Sequence, residues 1–191
     1  FWDYLVERGF DNPELIISTY NLMCCLVGEY KFRIIIPIYK DGKLVTWTSR
    51  SLYKNAKLRY LTHPIKDSVL NIKDTLFNYD YINNGGEVLF ITEGPFDAMK
   101  MHYLFPSFIY KATCLYTKSI SDVQEVLLYY IAPNYNKVIL LLDKNEISQS
   151  FFMMSNLSFI TNFETMIFPF NDIKDPGELT KEHMNILLKN I

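Results

Sequence analysis

The sequence predicts an α/β fold, in which a smaller α+β segment precedes a mainly parallel sheet with helices on both faces. Strand-like and helix-like segments alternate from residue 87 onwards, which is typical of parallel sheets. Two of these apolar strand segments end in an acid, at Glu93 and at Asp143. In the first half, residues 40–43 read Lys-Asp-Gly-Lys between two β-rich runs, and Asp-Gly at such a place indicates a hairpin.

The first half divides into helical and β-rich parts. Residues 1–30 have the apolar spacing of two short helices, and residues 32–39 and 44–49 form the arms of the hairpin. The run Asn-Asn-Gly-Gly at residues 83–86 is a turn signal. We therefore predict a subdomain of residues 1–84 followed by a sheet domain of residues 85–191.

The second half gives four strands and four helices. The apolar runs predict strands over residues 87–92, 112–116, 137–142 and 164–168, and helices over residues 96–104, 120–131, 146–157 and 178–189.

Composition limits the class of protein. Of the 191 residues 49% are hydrophobic, which is enough for a substantial core, and the net charge of −2 leaves any polyanion to be held by a local patch. The three cysteines form no disulfide framework, and the adjacent pair at residues 24 and 25 lacks the spacing of a zinc knuckle. We expect no zinc in this segment and a reduced, intracellular location.

The chain also lacks the marks of a membrane protein. Its apolar runs are far shorter than a membrane span, and no basic segment followed by a hydrophobic stretch opens the chain. The sequence predicts a soluble protein, and its start at Phe1 suggests a part of a longer product.

Acidic residues follow the predicted strands and form a candidate cation site. Glu93 opens a strand-to-helix turn that reads Glu-Gly-Pro-Phe-Asp, and Asp143 follows five aliphatic residues. The carboxyl ends of parallel strands meet at one edge of a sheet, where carboxylates suit a hard cation. Asn145 would point the same way as Asp143, and Asp175 lies in a loop after the last strand. Taken singly, each acid is equally consistent with a local helix cap.

A basic patch lies after the hairpin. Residues 50–64 carry Arg50, Lys57 and Arg59 among aromatic residues that include Tyr60, and no acid follows until Asp67. Cations among aromatic rings can bind phosphates and stack bases, although a solvated surface loop has a similar composition.

Other chemistries have less support. The three histidines belong to no motif that joins them to a nucleophile and an orienting acid. The chain contains neither a Gly-x-Gly-x-x-Gly run nor a Gly-Lys-Ser/Thr phosphate loop, so dinucleotide and ATP-motor functions are disfavoured.

The order of these motifs resembles the Toprim fold, which bacterial-type primases, type IA and II topoisomerases and some nucleases share. The matching run is a strand, Glu-Gly-x-x-Asp, an aliphatic strand ending in Asp, and Lys-Asp-Pro. The upstream half is similar to primases in particular. The segments that carry this likeness are Arg-Ile-Ile-Ile-Pro-Ile at 33–38, Thr-Ser-Arg at 48–50, Arg-Tyr-Leu-Thr-His-Pro at 59–64 and Leu-Phe-Asn at 76–78.

The resemblance implies the RNA polymerase core of a replicative DNA primase, which makes short RNA primers on single-stranded DNA from ribonucleoside triphosphates. It implies Mg²⁺ or Mn²⁺ held by acids, with Glu93 and Asp143 as catalytic residues and metal ligands, and Asn145 and Asp175 as further ligands. The implied residues for nucleic acid and nucleotides are Arg33, Arg50, Lys57, Arg59 and Tyr60. The implied partners are a replicative helicase and a zinc-binding module outside these residues.

The chain departs from the primase pattern at the second acidic motif. An Asp-x-Asp is expected there, and residues 143–145 read Asp-Lys-Asn. Lys144 adds a positive charge beside the predicted cation site. An acid is also expected after Lys-Asp-Pro, where Gly177 stands and Glu178 follows. Glu146 and Glu178 are candidates to replace the missing acids. A Gly-Thr that often follows the second strand of the sheet is Tyr116-Thr117 here.

Two other functions therefore remain open. One is a degenerate Toprim module that binds DNA or assembles a replication complex without polymerising. The other is a fragment of a Toprim nuclease or topoisomerase, which the upstream half disfavours.

Overall fold

Contacts between residues divide the chain into two units, residues 1–72 and residues 73–191. The structure is a computed structural model, and it describes residues 1–105, 108–189 and 191. The segment between 73 and 84, which the sequence assigned to the first subdomain, contributes Leu76 and Ile82 to the core of the second unit. The predicted domain boundary after residue 84 stays a prediction.

The first unit carries two helices and an antiparallel sheet. Its elements are α1 (Trp2–Glu7), α2 (Pro13–Tyr20), β1 (Met23–Cys25), β2 (Arg33–Lys40), β3 (Lys43–Ser51) and β4 (Tyr60–Thr62), and the strands lie in the order β1-β2-β3-β4. Strands β2 and β3 form the predicted hairpin, with Lys40 paired to Lys43. Asp41 and Gly42 both have positive φ, as a two-residue hairpin turn requires.

The second unit alternates helices with parallel strands. Its elements are α3 (Tyr79–Ile82), β5 (Gly86–Thr92), α4 (Pro95–Leu104), β6 (Tyr110–Cys114), α5 (Asp122–Ile131), β7 (Tyr135–Leu140), α6 (Ile147–Asn156), β8 (Phe163–Thr165) and α7 (Lys181–Leu188). The strand order is β6-β5-β7-β8, and each pair of neighbouring strands is parallel. The predicted α/β fold class is confirmed.

The two central strands of this sheet are buried along much of their length. Residues 88–92 of β5 are buried without interruption, and so are residues 138–142, which include the end of β7 and the two residues after it. Continuous apolar runs of this kind are typical of strands covered on both faces. Gly86 lets β5 start beside a neighbouring chain segment, since a Cβ there would lie 2.9 Å from the carbonyl oxygen of Ile109. Within the described residues, no helix is long and apolar enough to cross a bilayer.

Candidate acidic site

Glu93 and Asp143 follow adjacent parallel strands at the same edge of the sheet. Glu93 comes directly after β5, and the backbone N–H of Leu141 donates to Ile91 at 2.9 Å, so that pairing continues nearly to Asp143. Both residues are half-buried. Parallel pairing therefore places two acids, far apart in sequence, at neighbouring strand ends.

Their carboxyl groups are poorly solvated and surrounded by other acids. Burial raises the pKa of Asp143 to about 7, and the nearby charges of Glu93, Asp175 and Glu146 add to this effect. Burial also raises the pKa of Glu93, while the ammonium group of Lys118 opposes the rise. We call Glu93, Asp143, Glu146 and Asp175 the acid cluster, because their charges act on one another.

Buried oxygens at the two strand ends stand out. Glu93 Oε2 and Asp143 Oδ1 are buried and accept no hydrogen bond from the described part of the chain. Buried polar atoms in native proteins nearly always have a partner. In their present rotamers, the described His, Cys, Asp and Glu side chains form no group of three or more that could hold a metal ion.

Asp175 lies in the loop before α7 and is half-buried. Pro176 begins a 3₁₀ turn in which the N–H of Glu178 donates to the carbonyl of Asp175 at 3.1 Å. The exposed carboxylate of Glu178 accepts from the N–H of Lys174 at 2.8 Å. Glu178, one of the two candidates to replace the missing acid, therefore helps to shape this loop.

The other candidate, Glu146, belongs to the acid cluster. Asn145 is exposed in the turn after β7, whereas Glu146 is 9% exposed at the start of α6. The carboxylate of Glu146 forms an ion pair with Lys118. At the second acidic motif, the buried carboxylate therefore belongs to Glu146, one residue after Asn145, where the primase pattern has its acid.

Lys118 is the residue of this site that the sequence analysis missed. It lies in the loop between β6 and α5. A signal was available, because β6 is parallel to β5 and its carboxyl end faces the same edge of the sheet. The lysine that the sequence analysis did consider, Lys144, donates its Nζ to Asn171 Oδ1 at 2.8 Å.

Asp97 has a local role that the Glu-Gly-x-x-Asp spacing explains. Its carboxylate accepts from the N–H of Gly94 at 3.0 Å and so caps the start of α4. Pro95 occupies the first position of the helix, where a missing N–H costs nothing. The motif thus fixes the turn that follows Glu93.

The basic residues of the first unit fall into two groups. Arg33 donates to the carbonyls of Leu58 and Arg59, at 2.9 and 3.4 Å, and so holds the loop before β4. Arg50 donates to Tyr4 Oη at 3.0 Å and lies over the ring of Tyr60, 4.8 Å from its centroid. Both arginines support the fold of this unit.

Lys57 and Arg59 form the second group, and both are exposed. Their loop is the one that Arg33 holds through backbone carbonyls. We call Lys57 and Arg59 the exposed basic pair.

Comparison with known proteins gives a result at the level of fold. No family model matches the chain, and no curated protein matches its sequence. A solved structure of the DnaG catalytic core superposes with a TM-score of 0.75 at 18% identity, covering 98% of this chain and 71% of that one. The primase fragment of the bacteriophage T7 primase-helicase protein gives 0.72 at 17%, covering 100% and 74%.

A third match is a DnaG primase catalytic domain bound to single-stranded DNA. Its TM-score is 0.67 at 21% identity, and the match covers 100% of this chain and 63% of that one. At such identities the likeness establishes the fold of a divergent primase core, as the motif order had predicted.

Proposed function

Because the chain has the fold of a primase catalytic core, we propose that it is the RNA-polymerising core of a DNA primase. It would join ribonucleoside triphosphates into short RNA on a single-stranded DNA template. The observation that carries the proposal is that Glu93 and Asp143 lie at the ends of adjacent parallel strands. Each has a buried oxygen that accepts no hydrogen bond from the described residues.

The acid cluster has the chemistry of a site for Mg²⁺ or Mn²⁺. Carboxylate oxygens are the ligands that these hard cations prefer, and Glu93, Asp143 and Asp175 would supply them. Burial and mutual repulsion raise the pKa of Asp143, so a cation would stabilise the ionised form. When bound, such a cation offsets charge on the attacking and leaving oxygens of a phosphoryl-group displacement. The side chains would have to turn towards the ion, since they form no ready three-ligand group among the described residues.

The primase resemblance also indicates Glu93 as the group that takes up a proton. Burial raises its pKa, which makes its carboxylate a stronger base than an exposed glutamate. We propose that it accepts the proton of the attacking 3′-hydroxyl. Asn145 remains a proposed ligand by its place in the motif, although its side chain is exposed.

The first unit would supply contacts to nucleic acid. The exposed basic pair can bind phosphates, while Arg33, Arg50 and Tyr60 hold the loop and strand that carry it. The resemblance to primases is also the reason to propose a zinc-binding module and a replicative helicase as partners.

Primer synthesis by the whole chain tests this proposal. The chain, with a zinc module supplied in trans, is incubated with single-stranded DNA, ribonucleotides and Mg²⁺ or Mn²⁺, and short RNA is measured. We expect product from the wild type, none from Glu93→Gln, and wild-type amounts from Glu182→Gln, a matched change at an exposed acid of α7. Equal product from Glu93→Gln and the wild type would contradict the proposal.

A second function has specific support. Asn145 is a neutral, exposed residue where the motif expects an acid, and Lys118 brings a positive charge into the acid cluster. Both features suit a module that binds DNA in a replication complex without polymerising. The absence of RNA with either metal, together with salt-sensitive binding of single-stranded DNA, would favour this function.

A further inference from the structure

The ion pair between Lys118 and Glu146 places a positive charge in the acid cluster. The positive charge of Lys118 also opposes the rise in the pKa of Glu93 and of Asp143, so it stabilises the ionised forms of three carboxyl groups and not of Glu146 alone. The four carboxylates lie near one another with Lys118 as the cation that acts on both central acids. A lysine ammonium is a compact point charge, so it can occupy the same position among the carboxylates as a metal cation.

The two partners differ in their freedom to move. The side chain of Glu146 is 12% exposed, whereas that of Lys118 is 57% exposed. Glu146 also begins α6, where its carbonyl accepts from the N–H of Ser150 at 2.9 Å. The carboxylate is therefore held by the fold, while the lysine can swing into water with little loss of packing.

We infer that Lys118 is a built-in counter-cation of the acid cluster, which competes with a divalent ion for Glu146 and so sets how tightly the chain binds that ion. On this inference Glu146 takes over the place of the carboxylate that is missing at Asn145. The inference rests on the proposed function, because it assumes that the acid cluster is a cation site.

The physical reason is a competition between two cations for one set of carboxylates. Without a divalent ion, Lys118 reduces the repulsion among the four acids and so stabilises the folded chain. A divalent ion that reaches Glu146 must break the ion pair, and this lowers its apparent affinity. Removing the lysine should therefore destabilise the ion-free chain and strengthen binding of the ion.

Calorimetric titration of the full chain with Mn²⁺ alone tests the competition without any activity assay. We expect Lys118→Met to bind Mn²⁺ about threefold to tenfold more tightly than the wild type, as expected for the loss of one nearby competing charge. Glu146→Gln should bind it more weakly. In the double variant the change at Lys118 should tighten binding by less than it does when Glu146 is present, since the shared carboxylate is gone and only the effect of Lys118 on Glu93 and Asp143 remains.

Two matched lysine variants serve as controls. Lys144→Met removes a lysine that bonds to Asn171 and is not among the charges that act on Glu93 and Asp143, so it should change Mn²⁺ affinity much less than Lys118→Met does. Lys118→Arg keeps the charge and should bind Mn²⁺ as the wild type does. The melting temperature in a chelator should fall for Lys118→Met, and Mn²⁺ should raise it by more than it raises that of the wild type.

The outcomes separate this inference from the proposed function. Mn²⁺ binding that Glu93→Gln abolishes, but that changes at Lys118 and Glu146 leave unaltered, would overturn the inference and keep the cation site. No Mn²⁺ binding by either the wild type or Lys118→Met would overturn both.

Discussion

Asp143 is a carboxyl group whose pKa the surrounding residues raise to about 7, mainly by burial and then by the charge of Glu93. Between a pH of about 4 and about 7 the folded chain therefore holds a proton that the unfolded chain has already lost. The free energy of unfolding must fall as the pH rises through this window, and the effect levels off above it. The sign is opposite to that of an acid in a salt bridge.

Replacing Asp143 with asparagine should remove this titration. In metal-free buffer with a chelator, we expect Asp143→Asn to lose part of the pH-dependent fall in melting temperature and to be more stable than the wild type at pH 8. Glu14→Gln, a change at an exposed residue of α2, should keep the wild-type profile. An Asp143→Asn profile parallel to that of the wild type would contradict the assignment.

Tyr116 shows a second effect at the residue scale, in the backbone. Its φ is +64°, in the left-handed region that favours glycine, and its ring packs edge-on against Phe77 with centroids 6.5 Å apart. The primase resemblance places a glycine at this position, and the backbone keeps a glycine-like conformation. The chain therefore carries backbone strain at this half-buried tyrosine.

Two truncations of Tyr116 separate the ring from the backbone. Both Tyr116→Ala and Tyr116→Gly lose the ring, but only alanine keeps a Cβ in the left-handed region, which costs about 1 kcal/mol. We expect the glycine variant to be the more stable of the two by about that amount in urea unfolding. If Tyr116→Ala were instead more stable than Tyr116→Gly, residue 116 would have to leave the left-handed conformation in the alanine variant.

At the scale of elements, the start of α5 depends on one buried side chain. Gln124 is fully buried, and its amide donates to the carbonyls of Thr75 and Leu115 at 3.0 and 3.2 Å. Its oxygen accepts from the N–H of Ser121, which completes a capping box. The residue thus joins α5 to the loop after β6 and to the segment before α3.

Gln124→Leu keeps much of the volume but leaves two carbonyls and one N–H without their partner. Each buried group that loses its bond costs about 1–3 kcal/mol, so we expect a loss of several kcal/mol in the free energy of unfolding. Ser121→Ala, which removes the cap and the bond that the same hydroxyl donates to the carbonyl of Lys73, should cost about 1–2 kcal/mol. Denaturant unfolding of both variants compares the costs, and a Gln124→Leu cost no larger than that of Ser121→Ala would contradict the joining role.

At the scale of the whole molecule, a net charge of −2 leaves nucleic-acid binding to a local surface. On the proposed function, the exposed basic pair provides such a surface. Changing Lys57 and Arg59 to glutamine should weaken binding of single-stranded DNA. It should also make the slope of log affinity against log salt shallower by about 0.7 for each phosphate that the chain no longer neutralises. Fluorescence anisotropy at several salt concentrations measures both quantities.

Lys181→Gln is the control for this measurement, because it removes an exposed lysine at the start of α7. It should leave the salt dependence unchanged. An equal weakening in the control and in the double variant would show that total charge, rather than the exposed basic pair, determines binding.

The alternation of apolar runs was enough to predict the helices and strands that follow residue 85, although their ends shifted, but it did not predict α3. Strand β6 covers residues 110–114 and not 112–116, and β7 covers 135–140 and not 137–142. Apolar residues continue past the end of β7, since residues 141 and 142 are buried without belonging to this strand. The last helix begins at Lys181, because residues 176–178 form a 3₁₀ turn.

The sequence by itself determined the fold class, the hairpin and the order of the acids along the chain, because periodicity and turn chemistry act between near neighbours. The tertiary structure decided which side chains meet. It buried Glu146 in place of Asn145, brought Lys118 from the loop after β6 into the acid cluster, and engaged Arg33 with backbone carbonyls. Such contacts depend on strand order and loop path, which join residues distant in sequence, and no local pattern records them.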